Sequence, residues 1–555
     1  MEPPDMNTPD LNTPDGDAPA PETVSPAQRR AARRERRRVR RATPNTPDPR
    51  GPLLLVIAVA IAAAVVAASA AIPRVPASSI PPPIIEPIDA SVLLCPEPGG
   101  ANGAEVTSAV SIVPDLTGQD RPGAVSLSYL GKSDELVDVI TGNGIGLTEP
   151  GASVEVVNDQ GRLRPLVISG EGGLAPGLVA AQYELGLDGP RRGLATMNCP
   201  SPSPTWWFVG GGSTTGRTTQ MYLVNPETSE AEVDITLAGT EGPISAPSLR
   251  GLVIPAQSRT TVRLSRVAPA QASVAWNVQV RTGRIAVAVQ DIDAEGFVPR
   301  GVDWIPPSAD PSTRVYVPGI LGGDGRRRLV VYAPGDLDAQ VTLRVLTPDG
   351  AYIPTDLPEI EVPAGSVIAT DLTPALQGSP GTLELVSDVP IMATVRMRHE
   401  GVDASSTQIR EDISYATGAA PVVGLAAAAG LPAVRGTAAI LWLTVPRPPG
   451  DDVQGEQTTT VTIRVLPFGD EVSEPEPLVI DVPVDRAVGV TIPRPEKAKW
   501  FTAVVQPETG GVYVAQSSLR RGSRGTLFSG YPLSTLRTTV SIPSAGRSLG
   551  LMLGP

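Results

Sequence analysis

Three times along this chain the same short alternating pattern returns with a partner at a fixed distance, and this recurrence limits the fold more than any other feature. Val233-Asp-Ile-Thr-Leu237, Val341-Thr-Leu-Arg-Val345 and Val461-Thr-Ile-Arg-Val465 place apolar residues at every second position. That period sends successive side chains to opposite faces of a strand and does not make the stripe of an amphipathic helix. Each opening valine is followed 22 residues later by a proline: Pro255 in VIPAQS, Pro363 in EVPAGS and Pro483 in DVPVDR. A further strand is expected around Ile285, Ile391 and Tyr513. Asn225-Pro226 and Ala333-Pro334 precede the first two landmarks, whereas the third repeat carries a Pro/Gly/Asp-rich insertion near residues 446–457. The spacings are 108 and 120 residues. Propeller blades and solenoid turns repeat at roughly 20–50 residues, so these units are domain-sized.

Composition supports a β reading. The 555 residues include 56 glycines and 61 prolines, too many for a helical bundle, and aromatics make up only 4%, so cores must be built from Val, Leu, Ile and Ala. Seven strands are predicted in the first repeat: Trp206–Val209, Gln220–Val224, Ala231–Leu237, Leu252–Ile254, Thr260–Leu264, Ser273–Val280 and Arg284–Gln290. Seven short strands with Gly/Pro turns read as an Ig-like or fibronectin-like sandwich. The predicted fold is therefore mostly β, with tandem Ig/fibronectin-like β-sandwich units at 204–310, 311–418 and 419–555 and a divergent β unit at 90–203. Strands near Ala124–Tyr129 and Ser153–Val157 belong to that divergent unit. A strand at Val540–Ile542 is expected to close the last sandwich or open a new one. Only the apolar run Leu425–Leu431 is ambiguous between helix and strand.

Ahead of these units the chain changes character. Residues 1–50 form a predicted disordered cytoplasmic tail, because Asn7-Thr8-Pro9-Asp10 and similar repeats offer nothing to bury. The tail ends in a basic block, Arg29 to Arg41, with nine arginines and one acid, Glu35. Leu53 to Ile72 then runs for twenty residues without a charge, and a helix of that length reaches roughly 30 Å, a bilayer's hydrocarbon thickness. We assign 51–72 as a single transmembrane helix. Ten arginines before it against Arg74 just after it put the N-terminus in the cytoplasm and the rest outside, in a single-pass plasma-membrane topology. Ala68-Ser69-Ala70 fits a signal-cleavage pattern, but the long leader and long apolar run favour a retained anchor. Residues 73–89, with six prolines, are predicted to be a stalk in polyproline II geometry. The lipid bilayer is thus one expected partner. Nucleic acid is not, because residues beyond 50 carry 35 basic against 50 acidic groups, within a whole-chain net charge of −13.

Candidate chemistry is sparse. Cys95 and Cys199 are the only cysteines, each followed by Pro-X-Pro, and outside the cell they are expected to form a disulfide. The single histidine, His399, is read as a partly exposed residue at a strand end. Asp291, Asp293 and Glu295 offer oxygens, but their spacing departs from known Ca²⁺ loops. Gly210 to Gly216 reads as a hairpin loop, since no helix follows to present its N-terminus to a phosphate. Trp206, Trp207, Trp276 and Trp304 are expected to pack in cores, with Trp206 and Trp207 as the candidate platform for stacking on glycan. No short catalytic motif, cofactor fingerprint or metal-ligand cluster is found in the sequence, so no cofactor is expected.

The arginine-rich tail, the N-terminal anchor, the Cys-Pro pair, the N-P…V-x-I/L repeats and the VPAGS-like turns together resemble an actinobacterial cell-envelope family catalogued as a domain of unknown function. The resemblance spans roughly residues 50–555 and implies a single-pass cell-surface protein. It brings no catalytic or binding residues. The expected function is a non-catalytic, membrane-anchored extracytoplasmic scaffold or interaction protein, with envelope proteins or glycans as partners. The rival is a glycan-active hydrolase or an accessory factor in envelope polysaccharide assembly, because carboxylate pairs of such enzymes carry no short signature.

Overall fold

A computed structural model of the chain describes residues 56–65 and residues 83–543 apart from 97–103, 132–146, 159–163, 358, 403–408, 448–456, 470–471 and 524. Residues 56–65 are helical, and among the described residues no helix is long and apolar enough to cross a membrane. The ends of the predicted span (51–55 and 66–72), the predicted tail, and residues 73–82 of the predicted stalk lie outside the described residues.

Residues 82–543 form one compact unit, mostly β, built from antiparallel sheets. The first repeat, which forms the second of four sheet pairs, shows how the sequence makes them. All seven predicted strands are present, and in Ala231–Gly239 the residues Val233, Ile235 and Leu237 are buried while Thr236 is exposed. Each such buried aliphatic side chain stabilises the fold by roughly 1.5–3 kcal/mol. These strands form two sheets. One has the order Ser258–Arg263, Arg217–Asn225, Ala286–Glu295, Val298–Ile305; the other has Gly242–Ile244, Ala231–Gly239, Ala275–Thr282, Thr205–Val209. The core between them takes Met221, Leu223 and Val287 from the first and Val233, Trp276 and Val278 from the second.

The recurring prolines mark a turn. Ser366 donates its backbone N–H to the Pro363 carbonyl at 3.0 Å, and Gly365 between them has φ +65°. The matching positions of the other two landmarks, Gln257 and Asp485, also have positive φ, +46° and +62°. Asn225 fixes the first of these turns, its amide donating to the carbonyls of Ile254 and Pro255 at 3.1 and 3.2 Å.

Three other sheet pairs accompany this one. In the first, Ala90–Cys95, Leu166–Gly172 and Gly123–Tyr129 oppose Ser153–Asn158, Glu105–Ile112, Leu178–Gly186 and Gly193–Asn198. In the third, the strand Gly381–Val402 serves both sheets, pairing with Ala339–Thr347 up to Ser387 and with Gly325–Tyr332 from Met392. Pro390, which has no N–H for a ladder, lies at that crossing. In the fourth, Ala426–Pro432, Trp500–Pro507, Thr458–Pro467 and Leu478–Pro483 oppose Ala487–Thr491, Thr437–Thr444, Tyr513–Gly522 and Gly525–Pro532. The ambiguous apolar run is thus strand, paired with Trp500–Pro507.

The pairs close into a ring. Met197, Tyr222 and Trp304 pack between the first and second; Val209, Ala275 and Met392 between the second and third. Trp442 and Ala515 of the fourth join the third pair's core, and Leu194 packs with Trp500 and Leu527 between first and fourth. Two expectations are corrected at the ends of the chain. Ile84–Pro87, expected within the stalk, is a strand, and it pairs with Thr539–Ile542, which therefore neither closes the last sandwich nor starts another.

Candidate functional site

The centre of the ring is where the last strands of four hairpins meet: Gly193–Asn198, Val298–Ile305, Ile409–Thr417 and Gly525–Pro532. Backbone approach there requires glycine. A Cβ on Gly301 would sit 2.4 Å from the Ile413 backbone nitrogen and 2.6 Å from an Asp412 carboxyl oxygen, and one on Gly193 would sit 2.7 Å from the Val302 nitrogen.

A single hydrogen-bonded chain threads all four strands. The Thr196 N–H donates to Ser529 Oγ at 2.7 Å, Ser529 donates to Asp303 Oδ1 at 2.7 Å, and the Tyr415 N–H donates to Asp303 Oδ2 at 3.2 Å. Beside it the Phe528 N–H donates to Asp412 Oδ2 at 2.8 Å. Asp303 and Asp412 have no solvent exposure. Burial pushes both carboxyls well above their ordinary range, and for Asp303 the neighbouring Asp412 adds to it. Both are therefore biased toward the protonated, uncharged form.

His399 belongs to this centre, which corrects its expected place at a partly exposed strand end. It is 2% exposed within Gly381–Val402, its Nε2 lies 2.7 Å from Ser414 Oγ, and its ring stacks on Phe528 with centroids 4.0 Å apart. Burial, with a smaller push from Arg327, holds its pKa well below the usual imidazole value.

Ionic networks flank this centre. Between the second and third pairs, Asp291 accepts from Arg217 Nε at 3.0 Å, Thr219 at 2.6 Å and the Tyr415 hydroxyl at 2.5 Å, while Arg396 donates to Asp293 at 2.5 Å. Burial alone would raise the Asp291 pKa, but Arg217, Arg396 and these hydroxyls outweigh it and hold it low. Between the first and second pairs, Arg191 bridges Glu184 and Gln290. Asp291 and Asp293, considered as calcium ligands with Glu295, are thus committed to arginines, and Glu295 itself pairs with Arg300. Among the described residues no group of His, Cys, Asp and Glu is placed to hold a metal ion.

The other candidates fall elsewhere. Cys95 and Cys199 form the expected disulfide, Cα atoms 4.6 Å apart, joining the two sheets of the first pair inside its core. The candidate glycan platform is corrected by packing. Trp206 is buried in the second pair's core and donates its indole N–H to the Ile285 carbonyl at 3.2 Å, and Trp207 is half-buried against the third pair. Gly210 to Gly216 is no hairpin: it carries the chain from the Thr205–Val209 sheet to the Arg217–Asn225 sheet.

Residues 120–493 match a family described as Family of unknown function (DUF5719), and the chain belongs to that family. The match takes in three of the four central strands and ends before Gly525–Pro532. No curated protein and no solved structure matches the chain.

Proposed function

We propose that this chain is a non-catalytic scaffold or interaction protein of an actinobacterial cell envelope, held in the plasma membrane by residues 51–72 with its N-terminus in the cytoplasm and residues 83–543 outside. The observation that carries this reading is the chain Thr196–Ser529–Asp303–Tyr415. It spends buried polar groups on fixing four sheet pairs to one another, as a rigid platform requires and a moving machine does not. On this reading the sheet pairs are Ig- or fibronectin-like sandwiches that present their outer faces to envelope proteins or glycans. The Cys95–Cys199 disulfide suits an oxidising compartment outside the membrane. The uncharged run Leu53 to Ile72 behind its arginine block supports the anchor.

Crosslinking in intact cells followed by mass spectrometry tests the role, and a C-terminal epitope with added protease tests the topology. Envelope components crosslinked to residues 83–543, with the epitope removed from intact cells, are the expected results. A cytosolic, protected epitope overturns the topology, and crosslinks only to cytosolic enzymes overturn the role.

A further inference from the structure

Where the third and fourth sheet pairs abut there is an open cleft of about 400 Å³ bordered by Arg314, Tyr316, Arg447, Thr459, Thr509 and Tyr513. Its charge comes from an alternating ladder across the seam. Arg314 and Arg344 both bind Glu384, Arg344 reaches Asp485 at 3.1 Å, and Arg447 binds Asp485 at 2.9 Å. Among the described residues of this ladder three guanidiniums share two carboxylates, one positive charge in excess, in a chain of net charge −13. The arginines at the two ends of the ladder, Arg314 and Arg447, have side chains 39% and 40% exposed and face the cleft. Among the described residues no carboxylate lines it.

The aromatic wall is equally specific. Tyr316 is 2% exposed and donates its hydroxyl to Glu384 at 2.7 Å, so it is fixed in place. Tyr513 covers it, centroids 4.3 Å apart, and is itself only half-buried at the cleft. The hydroxyls of Thr459 and Thr509, 3.4 Å apart, stand on the same cleft. Two exposed guanidiniums, an aromatic ring and paired hydroxyls are the complement of a ring that carries a carboxylate, C–H faces and hydroxyl groups.

We propose that this cleft binds a uronic-acid-bearing saccharide. The carboxylate sits between Arg314 and Arg447, the sugar's C–H face lies on Tyr513, and the threonine hydroxyls bond its hydroxyls. The inference goes beyond the scaffold reading and stands whether or not the chain is membrane-anchored.

Calorimetric titration of the full-length protein with tetramers of galacturonate, glucuronate, mannuronate and guluronate tests it, alongside carboxyl-reduced neutral tetramers and polyglutamate. At least one acidic tetramer should bind, and Arg447→Gln should weaken it roughly tenfold, the loss of one charge-assisted contact. Because Arg447 also holds Asp485, the thermal midpoint of the variant is measured in parallel. Thr459→Val, which leaves the ladder intact, should weaken binding severalfold. The neutral tetramers should bind at least tenfold more weakly than the acidic one. Absence of binding by all four acidic tetramers overturns the proposal, as does binding unaffected by both substitutions. Polyglutamate binding as tightly as the acidic saccharide overturns the saccharide assignment.

Discussion

Asp291 and Asp303 lie directly opposite each other on neighbouring strands of one sheet, and both are fully buried, yet the fold treats them in opposite ways. Asp291 is met by Arg217 and Arg396 and has its pKa held low; Asp303 meets Ser529 and a backbone N–H and has its pKa pushed well up. Tyr415 serves both, giving its hydroxyl to Asp291 and its N–H to Asp303. Burial opposes ionisation at both sites, and the opposite outcomes follow from the neighbours across the seam. Where the second pair faces the third, arginines supply countercharge; where all four pairs converge, the groups nearest Asp303 are neutral donors and another acid, Asp412. A seam between two sheet pairs has room for long cationic side chains. A point where four strands meet, close enough to require Gly193 and Gly301, does not.

The largest effect is expected from removing the ionised partner. Asp291→Asn would leave Arg217 and Arg396, whose side chains are 11% and 15% exposed, facing an uncharged amide. Breaking a buried pair in this way costs about 3–5 kcal/mol, read as a lower denaturation midpoint with an unchanged slope. Because its folded pKa is depressed, the stability from Asp291 is present above the ordinary carboxylate value and lost as pH falls through the folded one. The deficit of the variant should therefore shrink in acid. A deficit independent of pH would mean that Asp291 is not ionised in the fold.

Ser529→Ala is the next step down. It removes the hydroxyl that joins the first, second and fourth pairs and leaves the Thr196 N–H and Asp303 Oδ1 without that partner. Unmet buried polar groups cost about 1–3 kcal/mol. The loss should appear in hydrogen exchange at Thr196 and its strand before it appears in the outer sheets. Uniform loosening of all four pairs would show that the serine is an ordinary packing residue and no junction.

The sheets were legible in the sequence and the junction was not, for a physical reason. Period-two alternation, as in Val233 to Leu237, is local, and so is the turn after Pro255, Pro363 and Pro483 that needs a residue at positive φ. The disulfide was legible from a lone pair of cysteines and an expected oxidising compartment. His399, Asp303 and Ser529 become partners only when strands from different repeats are brought together. The one usable signal was periodic. Thr196, Asp303, Tyr415 and Ser529 recur at roughly the repeat length, on hairpin strands distinct from the Val-x-Ile/Leu strands that mark the repeats. Asp291 and Asp293 attracted attention as oxygen ligands because a sequence shows acids without showing the arginines opposite them. Trp206 and Trp207 misled similarly, since an aromatic pair reads alike on a surface and in a core.

The smallest effect is the one that separates the two aspartates most cleanly, because its sign differs. Asp303→Asn introduces an amide that cannot ionise; its oxygen can accept from the Tyr415 N–H as Asp303 Oδ2 does, while its NH2 donates to Ser529 Oγ, reversing the bond in which Ser529 donates to Asp303. The folded pKa of Asp303 is raised, so its contribution is complete below the ordinary carboxylate value of about 3.9 and is lost as pH rises through the folded one. Asparagine has no proton to lose. The gap between wild type and variant should therefore be most favourable to wild type in acid, below the ordinary carboxylate value, and should move in favour of the variant as pH rises. Asp412, also raised, retains part of the alkaline slope until it too is replaced. His399 acts on the other limb: its depressed pKa makes protonation costly as pH falls, and neither asparagine should change that limb. If Asp303→Asn instead lowers stability at every pH by as much as Asp291→Asn does, Asp303 is ionised in the folded ring, and the two aspartates do not differ in charge.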